Sequence, residues 1–151
     1  MLEHRQDIVV DAPLARVWGH VGDMANWAAH MPGYQSFEVV SDRESLWILK
    51  VGVAALVRTV RVLVHIDRWD GPEAVDFTYR LEGDPVDGVG TYRARTGQED
   101  ATEIELWVTI NGQGPMSPVW EAMARPILPR LAKGFAEALK TKIEQSADEP
   151  A

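Results

Sequence analysis

Residues 114–145 read GPMSPVWEAMARPILPRLAKGFAEALKTKIEQ. Val119, Trp120, Met123, Ile127, Leu131, Phe135, Leu139 and Ile143 recur at spacings of three and four, the period of one apolar helical face. Ser117 suits an N-cap, Pro118 the first helical position and Glu121 the first turn. A long amphipathic helix is therefore expected. Pro126 and Pro129 interrupt it, because each lacks an N–H and crowds the carbonyl four residues back. A kink or short break is expected near Met123–Leu131. A straight helix can seal against a sheet, whereas a bent one lifts at one end and leaves room beneath it.

Working outward, the preceding segment changes to period two. Tyr34 to Val40, Leu46 to Val53, Val57 to Trp69, Ala74 to Glu82, Val89 to Thr96 and Thr102 to Asn111 read as six strands. Polar or glycine-rich turns separate them at Ser41–Glu44, Asp70–Pro72, Gly83–Gly88 and Gly97–Asp100. Val60, Val62, Val64 and Ile66 share a face. So do Val75, Phe77, Tyr79 and Leu81, and so do Ile104, Leu106, Val108 and Ile110, with Trp107 alternating outward. Before them come a strand ending at Val10 and two short helices, the first opening at Asp11-Ala12-Pro13 and the second covering Met24 to His30.

Short turns imply antiparallel pairing, and an apolar sheet face must be covered. The only element long enough is the C-terminal helix. The expected fold is α+β: a curved, antiparallel, seven-stranded sheet wrapped around a long C-terminal helix, with two short helices after the first strand. Residues 1–145 are expected to form one domain and 146–151 a flexible tail.

The chain has 151 residues, 46% hydrophobic and 25% charged, with a net charge of −8. That charge argues against general nucleic-acid affinity, which needs a basic face. The absence of cysteine excludes disulfides and thiolate chemistry. The polar start, residues 1–7, has no apolar leader, and no apolar run spans a bilayer. A cytoplasmic location is the expectation.

Asp11-Ala12-Pro13 with Val17-Trp18, Trp27 followed by Met31-Pro32-Gly33, the stretch Gly88-Val89-Gly90-Thr91-Tyr92 and the amphipathic C-terminal helix together resemble the START-like, or SRPBCC, superfamily and its helix-grip fold. Within it the chain resembles the CoxG group, associated with carbon monoxide dehydrogenase, and the polyketide cyclase/dehydrase group. The resemblance spans residues 5–145, and its motifs are structural rather than chemical. It implies an apolar ligand such as a lipid, sterol, quinone or polyketide between sheet and helix. For the CoxG group it implies membrane-linked delivery or assembly around a redox enzyme.

The expected ligand-contacting residues are Trp27, His30, Met31, Arg58, Val62, Phe77, Tyr79, Tyr92, Val108, Met116, Trp120, Met123 and Ile127. Arg58 shares the face of Val60 and pairs with either a protein carboxylate or a ligand head group. No catalytic residue is assigned. The inward positions hold Tyr79, Tyr92, Arg58 and His30 but no carboxylate, which favours binding over acid–base catalysis. No GxSxG elbow, HExxH pair or nucleotide fingerprint is present. His65 and Asp67, on one outward strand face, read as solvated rather than metal-binding, and no cofactor is expected. Three functions stay open: a carrier of a hydrophobic molecule, a polyketide cyclase or dehydratase, and an accessory subunit with a filled core. Arg125, Arg130, Lys133, Lys140 and Lys142 against Glu137 form a basic stretch that suits transient contact with a membrane or an acidic partner.

Overall fold

The computed structural model describes residues 1–53 and 56–147. Strand β1 (Leu2–Val10) is followed by helices α1 (Leu14–Val21) and α2 (Met24–Ala29). Six strands follow: β2 (Tyr34–Val39), β3 (Glu44–Val53), β4 (Leu56–Asp70), β5 (Ala74–Leu81), β6 (Val86–Thr96) and β7 (Thr102–Gly112). The C-terminal segment forms α3 (Ser117–Ala124) and α4 (Ile127–Ala147). All strands pair antiparallel in the order β1-β7-β6-β5-β4-β3-β2. This is the expected helix-grip architecture.

The expected proline break divides the C-terminal helix in two. Pro126 cannot donate to Ala122, and helical hydrogen bonding stops at Arg125. Pro129 is tolerated because it lies in the first turn of α4, where the N–H has no intrahelical partner. Ser117 is not the N-cap. Met116 precedes the helix, and the Ser117 hydroxyl donates to the Glu121 carboxylate instead. The helix continues past Gln145 to Ala147, so residues 146–147 of the expected tail are helical; residues 148–151 lie outside the described part. In β6, Asp87 and Gly88 belong to the strand rather than to the preceding turn.

The two ends of the C-terminal segment pack differently. Phe135, Ala136, Leu139 and Ile143 of α4 are buried in one core with Val10, Val17, Val21, Trp27 and Tyr92. Lys140 fastens this end to β1 through the Val9 carbonyl, and Glu144 accepts from the Asp11 amide. By contrast, α3 contributes no fully buried residue and rests on the sheet mainly at β7. Gly112 lets its start rest on β7: a Cβ there would lie 3.0 Å from the Ser117 carbonyl and from the Trp120 side chain.

Strand β4 is longer than its neighbour β5. Its residues before Arg61 pair with β3 alone, so the β3–β4 hairpin overhangs the sheet, with Arg58 facing Trp120 of α3. The bonded ladder between β6 and β7 is interrupted between Asp87 and Gly90. There Thr109 Oγ1 accepts from the Val89 amide, and Tyr79 crosses Gly88 to donate its hydroxyl proton to the Thr109 carbonyl. Glycine is needed for that crossing. A Cβ on Gly88 would come within 2.1 Å of the Thr109 carbonyl oxygen and 2.5 Å of the Tyr79 hydroxyl. A Cβ on Gly90 would meet only the Phe77 ring, at 2.2 Å.

Gly88→Ala is expected to destabilise the fold by about 3 kcal/mol and Gly90→Ala by about 1 kcal/mol, read as midpoint shifts in urea unfolding. A backbone oxygen held in a sheet cannot yield, whereas the Phe77 ring borders open space beneath the helix. Equal midpoints for the two variants would contradict this.

Candidate functional site

That open space is a cavity of about 530 Å³ between the concave sheet face and the bent C-terminal segment. Its floor comes from alternate residues of the central strands: Leu49, Val60, Val62, Val64, Phe77, Leu81, Leu106, Val108 and Ile110. Its roof is Trp120, Met123, Ile127, Leu128, Leu131 and Phe135, one face of α3 and α4. Trp27 and Met31, at and just after α2, close the inner end with Trp47. Val57 and Arg58, from the overhang, and Asp84, from the β5–β6 turn, stand at the outer end.

The polar groups around this space are mostly engaged by the protein. Trp27 Nε1 donates to the Val21 carbonyl at 2.8 Å, and Trp47 Nε1 donates to Ser45 Oγ at 2.9 Å. The Tyr79 hydroxyl is held by Thr109. Burial, reinforced by the nearby Asp87 carboxylate, pushes the Tyr79 phenol above its ordinary range, so it stays neutral at physiological pH. The charged pair among the lining residues is Arg58 with Asp84 at the rim. The Arg58 guanidinium also lies 5.6 Å from the centre of the Trp120 ring. Arg58 thus bridges the overhang, the β5–β6 turn and α3 across the mouth. An apolar interior with its few polar groups at one end can take a hydrophobic body and leave a polar end outside.

Of the residues singled out from the sequence, Trp27, Met31, Arg58, Val62, Phe77, Tyr79, Val108, Trp120, Met123 and Ile127 border the cavity. His30, Tyr92 and Met116 do not. Tyr92 is fully buried behind Trp27, with ring centroids 5.5 Å apart. Met116 is 55% exposed on the outer surface. Trp107 and Thr91, opposite in strand parity to the floor residues, also border it. Asp84 had no sequence signal, because its turn follows no alternation. Phe135 and Leu131 lay on the helical stripe already recognised, and Leu128 lay beside it, but their depth beneath the bend was not legible.

His30 faces His20 of α1 instead. The two Nε2 atoms are 2.7 Å apart and the ring centroids 5.0 Å apart. Burial lowers both pKa values below 6.5; Lys142 lowers both further, the His20 charge adds to the effect on His30, and Asp23 opposes it at His20. The pair therefore holds a single N–H···N bond joining α1 to the end of α2. His65 lies 3.7 Å from Asp67 and 3.9 Å from Glu44 on the outer face. Among the described residues, no three histidine or carboxylate side chains converge as a metal site.

A sequence profile of the family described as "Polyketide cyclase / dehydrase and lipid transport" matches residues 1–144. The chain belongs to that family. The family is of the SRPBCC type anticipated from the sequence. No curated protein matches by sequence. Solved structures match in fold. A conserved protein from Geobacillus kaustophilus superposes with a TM-score of 0.82 at 17% identity, covering 96% of this chain and 97% of that one. A Thermus thermophilus protein gives 0.76 at 19% identity, covering 98% and 100%. The ZhuI aromatase/cyclase from Streptomyces sp. R1128 gives 0.72 at 17% identity, covering 97% and 95%. At such identities the likeness establishes the fold of this family member. Among its described residues, no helix is long and apolar enough to cross a membrane.

The histidine pair yields a pH prediction for this family member. Both groups have folded-state pKa values below their unfolded values, so the unfolded chain takes up protons first as pH falls. Their contribution to stability is complete above about pH 6.5 and declines as the pH falls through the lowered values. The thermal midpoint should drop over that window in the parent protein and drop less in a His20→Gln/His30→Gln variant. Parallel pH profiles for the two proteins would contradict the assignment.

Proposed function

We propose that the protein binds and carries a hydrophobic small molecule, with its apolar body beneath the bent helix and a polar end beside Arg58 and Asp84. The observation that carries this reading is the 530 Å³ cavity, lined almost wholly by apolar side chains. Its volume lies within the usual range for small-molecule sites, roughly 300–1,000 Å³. A void of that size in a domain this small weighs against an accessory subunit with a packed core, since interiors are otherwise close-packed. Lipids, quinones and polyketide-like molecules all match its chemistry.

The second reading, a cyclase or dehydratase, is favoured by the family description and by the fold shared with an aromatase/cyclase. It needs an acid–base set inside the cavity. Tyr79 is bonded to the backbone and held neutral, while Arg58 and Asp84 neutralise each other at the rim. These observations support carriage over catalysis.

Filling the floor tests the carrier reading. Val62→Trp should weaken uptake of a fluorescent apolar probe about ten-fold or more, and Trp120→Ala should weaken it by a smaller factor. Native mass spectrometry after incubation with a lipid extract should show added mass on the parent protein and none on Val62→Trp. Unchanged probe uptake by a folded Val62→Trp protein would sink the proposal. Turnover of a polyketide-like substrate that is lost in Tyr79→Phe would favour the enzyme instead.

A further inference from the structure

The surface around the cavity mouth is built unlike the rest of the molecule. Helix α3 is apolar in sequence yet has no fully buried residue. Val119 is 47% exposed, Met123 44% and Met116 55%, and Pro118, Ala122 and Pro126 are exposed between and beside them. Across the mouth, Val57 on the overhanging hairpin is 69% exposed. Val57 and Met123 border the same cavity, so this apolar rim is continuous with its interior. A contiguous exposed apolar patch on a small domain marks a contact surface.

Asp84 and Glu121 near the patch are each paired, with Arg58 and the Met1 amino group. The charges left without an ion-pair partner among the described residues beside it are basic. Arg125, Arg130 and Lys133 are exposed at the helix break and in the first turns of α4. None forms a salt bridge among the described residues. The one carboxylate of α3, Glu121, turns back to the Met1 amino group and the Ser117 hydroxyl. The remaining cations of the C-terminal segment are placed elsewhere: Lys140 binds Glu144 and the Val9 carbonyl, and Lys142 lies near the histidine pair. The basic stretch read from the sequence is thus divided, and only its first half flanks the mouth.

We propose that this face, α3 with Val57 of the β3–β4 hairpin, docks on an anionic lipid bilayer and sets the cavity mouth against it. The proposal rests on the carrier reading, because a guest this apolar partitions into a bilayer rather than into water. Exposed aliphatic and methionine side chains enter the headgroup boundary, while adjacent arginines meet lipid phosphates. The overall charge of −8 helps orient the molecule. An anionic surface repels the acidic remainder and attracts only the basic rim, so mouth-down is the favoured approach.

Vesicle sedimentation tests this. The probes are vesicles of phosphatidylcholine mixed with phosphatidylglycerol and vesicles of phosphatidylcholine alone. The parent protein should sediment with the mixed vesicles and remain largely in solution with the neutral ones. Arg125→Glu/Arg130→Glu should weaken sedimentation about ten-fold, and Met116→Ser/Val119→Ser should weaken it several-fold. None of these four residues borders the cavity, so both variants should still take up the apolar probe from solution as the parent does. Parent protein that stays in solution with anionic vesicles, or variants that sediment like the parent, would overturn the docking proposal. Probe uptake lost in every protein while vesicle binding persists would instead remove the carrier reading.

Discussion

The break at Arg125–Pro126 is the constraint on which the rest of the structure turns. A residue without an N–H cannot continue the helical ladder, so the C-terminal segment divides into two rods. The second rod commits to the core through Phe135, Leu139 and Ile143 and is fastened to β1 by Lys140 and Glu144. The first rod is held more lightly, by Glu121 with Met1, by Trp120 against the Arg58 guanidinium and by its rest on Gly112. One element therefore does two jobs. Its end closes the fold, and its beginning roofs a cavity that the sheet alone would leave open.

The sheet contributes the matching half. Curvature brings the central strands around the helix, and the unequal lengths of β4 and β5 leave the β3–β4 hairpin projecting past its neighbour. The glycines of β6 let Phe77 and Tyr79 lie across a strand that would otherwise hold side chains of its own. Tyr79 then spends its hydroxyl on the Thr109 carbonyl. That bond engages the hydroxyl proton of the tyrosine bordering the cavity and leaves an interior with few free polar groups. In the carrier function proposed above, burial of apolar surface drives binding and selectivity is concentrated at the rim, where Arg58, Asp84 and Trp120 meet.

Much of the fold was legible in local patterns. Alternation in β4, β5 and β7 placed Val62, Phe77, Tyr79 and Val108 on the inner face, and the helical stripe placed Trp120, Met123 and Ile127 opposite them. What misled was proximity in sequence. His30 precedes the cavity residue Met31, yet the C-terminal end of α2 turns its ring to His20. Tyr92 alternates inward, but it lies behind Trp27 rather than on the cavity surface. Asp84 sits in a turn, where neither period applies.

Periodicity and proline placement, both local properties of the chain, determined the order of elements, the inward faces and the existence of a break. They follow from backbone geometry, which each residue carries wherever it sits. Tertiary structure decided how lightly α3 is packed and which polar groups are consumed. It also decided that Arg58 faces Asp84, and that Arg125 and Arg130, but not Lys140, stand beside an exposed apolar rim. Those outcomes depend on distances between residues far apart in the chain, and such distances exist only once the sheet has closed around the helix.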